Sequence, residues 1–152
     1  MSTVAIVGCE EAKFTPRTKA AAYSTIAWIF QETGATRVVS GDCPLGGVDK
    51  YAVEIARASG LEVIEHAPKV HRWGGPDGFM ARNLLIANDG DVGYCLTLAQ
   101  YPDSYPYERF DRCYHCGVNT HVKSGGCWTI KQMRKLGKPG EIIILTGNED
   151  LL

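Results

Sequence analysis

Apolar residues fall along this chain in short unbroken runs, separated by stretches in which they recur every third or fourth position. Thr3 to Gly8 reads TVAIVG, and such a run suits a strand buried on both faces of a sheet. From Ala20 to Thr33, Ala22, Ile26 and Ile29, with Tyr23 and Phe30 beside them, stand at helical spacing before Gly34 stops the helix. A second unit follows, with a strand at Arg37 to Gly41 and a helix from Val48 to Ser59 closed by Gly60. Leu61 to Ala67 reads as a third strand ended by Pro68, and Phe79 to Asn88 as a third helix. Asp91 to Leu96 (DVGYCL) predicts a fourth strand, Trp128 to Leu136 a helix ending at Gly137, and Glu141 to Thr146 a fifth strand. Strand and helix alternating in this way predict an α/β fold: one Rossmann-like domain over 1–152 with a mainly parallel five-stranded sheet and helices on both faces. A long insertion, 97–123, precedes the last helix.

The richest stretch is VVSGDCPLGGVDKYAVEIA, Val38 to Ala56, where a β-branched strand ends in a Gly-rich turn that opens into an amphipathic helix. Backbone N–H groups and the positive end of a helix dipole meet there, which suits a phosphate. Gly41 and Gly46 are spaced as in a Walker A loop. Gly47 and Val48, however, stand where the Lys and Ser/Thr of that loop are needed, so no Mg²⁺-triphosphate site is expected. The dinucleotide fingerprint GxGxxG is also absent. A tight strand-to-helix turn without any ligand is the plainer reading of the glycines.

Composition narrows the class. The chain has 152 residues, 45% of them hydrophobic and 22% charged, enough for one compact domain with a real core. No apolar stretch approaches a membrane span, and the first ten residues lack the basic region of a signal peptide, so a cytoplasmic location is the expectation. A formal net charge of −1 offers no general attraction to nucleic acid, although Lys131, Arg134, Lys135 and Lys138 make the last helix locally basic. Six cysteines in such a chain read as free thiols, metal ligands or a redox pair before they read as disulfides.

Ligands of open parallel sheets collect beyond the carboxyl ends of the strands, and three segments belong on that edge: SGDCPLGGVDKYA, RNLLIANDGD and SGGCWTIKQMRKLGKP. Their order and spacing resemble the SLOG superfamily of Rossmann-like nucleotide-binding proteins, particularly its YpsA-related branch. That superfamily also holds the Lonely Guy phosphoribohydrolases and the DNA-processing protein A domain. The resemblance runs from Val4 to Thr146. It implies that Gly41, Gly46, Gly47 and Asp49 match the first glycine motif, Arg82 and Asn83 an Arg-Asn pair, and Ser124, Gly125 and Gly126 a second glycine turn. With Gly8, Asp42 and Cys127 these form the candidate ligand-binding set. Two departures stand out: Cys127 replaces the family's usual Thr, and no Glu follows the second turn where the phosphoribohydrolases carry one.

Each polar candidate has a structural alternative. Asp49 could simply favour the dipole of its helix, Arg82 could pair with Asp89 or Asp91, and Asn83 could tie down a loop. Glu10 and Glu11 follow the first strand as nearby carboxylates, and exposed loop charge is the simpler account of them. Cys9, Cys43 and Cys95 read as small buried hydrophobes.

The insertion is particular to this chain. Connections in such folds usually take about 2–6 residues, whereas this one runs from Thr97 to Lys123 and holds Tyr101, Tyr105, Tyr107 and Tyr114. These tyrosines could stack on a base, pack the loop onto the body or form a homodimer contact, and the segment is placed to act as a lid. Within and just beyond it, Cys113, Cys116, His121 and Cys127 have the spacing C-x2-C-x4-H-x5-C, close to a zinc knuckle. His115 competes as a ligand, and Cys127, which belongs to the glycine turn, could face the ligand instead. A reduced or a redox-active thiol pair is the alternative to structural zinc.

Three function classes follow. The first is binding or sensing of a nucleotide or nucleotide-derived small molecule, such as a nucleoside monophosphate or an ADP-ribose-like ligand. The second is a hydrolase or transferase acting at an N-glycosidic bond. The third, binding of single-stranded nucleic acid, is disfavoured by the near-neutral charge.

Overall fold

The computed structural model describes residues 2–149. Strands β1 (Thr3–Gly8), β2 (Arg37–Gly41), β3 (Glu62–His66), β4 (Val92–Leu98) and β5 (Gly140–Leu145) alternate with helices α1 (Pro16–Thr33), α2 (Val48–Ala58), α3 (Phe79–Asp89) and α4 (Gly126–Lys135). The five strands form one sheet in the order β3-β2-β1-β4-β5. Every pairing is parallel, with Ala5 of the central strand opposite Val39 on one side and Gly93 on the other. This is the Rossmann-like architecture that the alternation predicts.

Side chains of successive strand residues leave opposite faces of a sheet, and β1 shows why its whole run is apolar. Val4 and Ile6 pack with Ile26 and Ile29 of α1 and with Val48 and Ala52 of α2. Ala5 and Val7 pack with Ile86 of α3 and with Ile130 and Met133 of α4. Two helices therefore cover each face. The strand order reverses between β1 and β4, whose following helices lie on opposite faces, and a crevice opens above that point.

Element boundaries differ from the apolar pattern in three informative places. Helix α1 starts at Pro16, not Ala20, because Thr15 caps it: its hydroxyl accepts from the Thr18 backbone N–H, and the Thr18 hydroxyl accepts from the Thr15 N–H. Apolar periodicity is silent over that polar first turn, while the cap and Pro16 at the first helical position support it. Strand β4 continues through Thr97 and Leu98, which pair with Ile144 and Leu145. Helix α4 begins at Gly126 rather than Trp128.

The insertion between β4 and α4 has no helix or strand of its own. An antiparallel bridge joins Cys113 and Val118, and the Val122 N–H donates to Leu98 O at 2.8 Å. Tyr101, Tyr105 and Tyr107 pack on one another, with ring centroids 4.7 and 5.6 Å apart, and Tyr101 also lies against the core. Three of the four tyrosines thus hold the loop together. Among the described residues, no helix is long and apolar enough to cross a membrane.

Removing the α1 cap gives a direct check on this boundary. Thr15→Ala should lower unfolding stability by about 1 kcal/mol. Urea denaturation should show a lower midpoint at an unchanged slope, whereas an unaltered midpoint would place the start of α1 further along the chain.

Candidate functional site

The carboxyl end of β1 is the meeting point of both glycine turns. Gly47, at φ +89°, packs so tightly on β1's exit that a Cβ there would lie 2.2 Å from Cys9 O, and the Val48 N–H donates to that same carbonyl at 3.0 Å. On the other side, a Cβ on Gly126 would lie 2.9 Å from the Gly8 nitrogen. Backbone therefore stacks on backbone, which only glycine permits. Above this junction lies a cavity of about 540 Å³, a size suited to a small-molecule ligand.

Its polar wall comes from α2 and α3. Asp49 and Arg82, both buried, face each other at 3.7 Å across the end of β2. Gly41 lies beneath them, where a Cβ would come within 2.1 Å of the guanidinium and 2.5 Å of the carboxylate. Arg82 donates further to Asn83 Oδ1 at 2.7 Å and to His66 O at 3.3 Å. The Ser40 hydroxyl donates to Ile6 O at 2.5 Å and lies 3.3 Å from Asp49 Oδ1. Burial pushes the Asp49 carboxyl from 3.8 up to about 6, against the pull of Arg82. An ion pair at 3.7 Å is too loose to offset the desolvation of a buried carboxylate.

Arg82 thus pairs with Asp49. Asp89 instead meets His66 Nε2 at 2.6 Å, and Asp91 accepts from the Thr3 N–H. Glu10 lines the cavity, braced by Lys13 at 3.3 Å and by the Tyr105 hydroxyl at 3.4 Å, so it is more than an exposed loop charge. Cys43 is half-buried on the wall, while Cys9 and Cys95 lie in the core.

Of the candidate ligand set, Gly8, Asp49, Arg82, Asn83, Gly125 and Gly126 line the cavity. The others do not line it. Gly41 makes room for the Asp49–Arg82 pair, Asp42 pairs with Lys50 in solvent, and Gly46 and Gly47 pack on Glu11 and Cys9. The Ser124 hydroxyl accepts the Gly126 N–H at 3.3 Å, just ahead of α4. Cys127 points away from the cavity into the thiol cluster.

Another part of the lining is aromatic, and the hydrophobic pattern passes over most of it. Trp73, Phe79, Tyr114 and His115 line it, with Lys123 at its edge. Trp73 stacks on His115 at 4.9 Å and meets Trp128 edge-on at 5.5 Å, while Arg82 lies over Phe79 at 5.3 Å. The one hint in the sequence is a tryptophan inside HRWGGPDGF, a Gly-rich link where no helix or strand explains it.

Directly behind this wall lies the cysteine cluster. The ligating atoms of Cys113, Cys116, His121 and Cys127 all fall within 4.8 Å of one another, so the group could hold a metal ion. A tetrahedral ion with bonds of about 2.0–2.3 Å holds its ligands about 3.3–3.8 Å apart, so the donors need close in by only about 1 Å. His121 is buried, and its Nδ1 lies 2.8 Å from Val122 O, which fixes the tautomer with Nε2 bare for a metal. His115 is engaged with Trp73 and stands outside the donor group. Hydrogen bonding from Cys127 draws the Cys113 thiol down, and the same contact pushes Cys127 up. A bound cation would favour the thiolate form of all three cysteines.

Comparison with models of known protein families and with curated proteins finds no match to this chain.

The Asp49 environment predicts a pH signature. Its folded-state value lies above 3.8, so its contribution is complete below about pH 4 and is lost as pH rises through about 6. Raising the carboxyl from 3.8 to about 6 caps that loss at about 3 kcal/mol. Asp49→Asn should remove it, so that the stability of the variant relative to wild type climbs between about pH 4 and pH 7 in denaturation curves. Parallel profiles would show that Asp49 is not desolvated.

Proposed function

We propose that the cavity binds a nucleotide or a nucleotide-derived small molecule, and that the cluster behind it holds a structural Zn²⁺. The observation that carries the first reading is one cavity combining flat aromatic rings, carboxylates and a positive edge. Trp73 and Phe79 suit the faces of a base, and Asp49 and Glu10 suit hydroxyl groups of a sugar. Lys123 and the first turn of α4 favour a phosphate. The motifs shared with the SLOG superfamily support the same reading. Zinc is favoured by three soft thiolates with one imidazole, the donor set of closed tetrahedral sites. Four protein donors leave no open position for a reactive water, so its role is structural.

Calorimetric titration with AMP and ADP-ribose tests the nucleotide reading. Binding should be weakened at least tenfold by Trp73→Ala in a protein that keeps its unfolding stability, and failure of both ligands to bind would end the proposal. Metal analysis of protein purified without a His tag should find one Zn²⁺ per chain. The thiols of Cys113, Cys116 and Cys127 should resist titration until a chelator is added, and freely titratable thiols would retire zinc.

A second reading, cleavage of an N-glycosidic bond, is favoured by Asp49 alone. A buried carboxyl at about 6 on a cavity wall is tuned for acid–base work near neutral pH. Chromatography for free base after incubation with AMP decides between the two. Release abolished by Asp49→Asn means turnover, and AMP that binds in the calorimeter yet stays intact means binding alone.

A further inference from the structure

Each donor of the Cys113–Cys116–His121–Cys127 cluster is a close chain neighbour of a residue on the cavity wall. Tyr114 and His115 are the two residues between Cys113 and Cys116, Lys123 follows His121 by two positions, and Gly126 directly precedes Cys127. One ion bound by the four donors would therefore hold four wall residues at once. Little else holds the first two. The turn carries only two backbone hydrogen bonds of its own, Cys113 N–H to Val118 O at 2.9 Å and Gly117 N–H to Cys113 O at 2.8 Å. Cys113 is itself buried in the core with Cys116 packed against it, but Tyr114 and His115 are held only by contacts of their own: the ring of His115 on Trp73, Lys131 Nζ on His115 O at 3.1 Å, and Tyr114 against Phe110.

We infer that the metal centre and the ligand cavity form one thermodynamic unit, in which the metal-held turn makes Tyr114, His115 and Lys123 the recognition groups for a flat, anionic ligand. The physical reason is linkage. A ligand that meets a wall already ordered by metal need not order it, and whatever factor the metal adds to ligand affinity the ligand adds to metal affinity. The metal does this without touching the ligand. The inference extends the nucleotide and zinc readings above and rests on them, yet the coupling of the turn to the wall has a readout independent of any ligand.

That readout is Trp73. The double substitution Trp28→Phe and Trp128→Phe leaves it as the one tryptophan of the three in the chain, and the phenylalanine ring that replaces Trp128 can keep the edge-on contact. In this protein, chelation of Zn²⁺ should at least double acrylamide quenching of Trp73 while far-UV circular dichroism retains the helices and sheet. The Kd for AMP should rise about tenfold or more, and saturating AMP should tighten Zn²⁺ by the same factor. Unchanged quenching on chelation, or a zinc stoichiometry near zero, overturns the inference. Should AMP and ADP-ribose fail to bind the zinc-loaded protein, the nucleotide reading falls and Trp73 quenching alone decides the coupling. His115→Ala, which leaves all four donors in place, covers the case in which chelation unfolds the chain. It should keep one Zn²⁺ yet raise Trp73 quenching, and wild-type quenching would again overturn the inference.

Discussion

The cavity edge depends on one steric constraint: the chain leaving β1 at Gly8 and Cys9 is overlaid from two sides by backbone that leaves no room for a side chain. Gly47 presses on Cys9 O and Gly126 on the Gly8 nitrogen. Both helices that open toward the crevice, α2 and α4, therefore start at the same spot, one from each face of the sheet. Asp49 in the first turn of α2 and Gly125 and Gly126 at the start of α4 thus line the same cavity. The strand-order reversal at β1 and β4 explains why the space between them stays open.

The Asp49–Arg82 pair is a second constraint laid over the first. It joins α2 on one face to α3 on the other across the end of β2, and Gly41 makes the space. Enclosed charges are expensive, and here desolvation outweighs attraction, as the raised Asp49 carboxyl shows. An arrangement that costs stability at neutral pH and faces a cavity fits a site better than a brace. Arg82, with its donors spread over Asp49, Asn83 and His66 O, acts through this network more than as a free phosphate clamp.

The insertion raises a different balance. Ordering backbone takes on the order of 1–2 kcal/mol per residue, and the segment that carries Cys113 to His121 buries few apolar side chains besides its own ligands and Val122. A structural zinc contributes about 10–16 kcal/mol in small domains, which matches the ordering demand of a segment of this length. The tyrosine stack of Tyr101, Tyr105 and Tyr107 orders the first half of the insertion, and the cluster is suited to order the second.

The α/β class, the nine main elements and the parallel sheet were legible in the sequence because burial on two sheet faces writes itself as apolar runs, and helix packing as apolar periodicity. The start of α1 was legible too, in Thr15, Pro16 and Thr18, though hydrophobic pattern alone missed it. The four residues that could hold a metal ion could be picked out because Cys and His are few and ligand spacing in a tight turn is local. The cavity's other wall could not. Trp73 lies in the link before α3, His115 in the insertion and Phe79 on α3, and no local rule joins them. Nor does any local rule make Asp49 the partner of Arg82 rather than Asp89 or Asp91, or turn Cys127 toward the thiols while Gly126 faces the cavity. Those choices arise where chain segments distant in sequence compete for the same space above β1, so only the tertiary structure decides them.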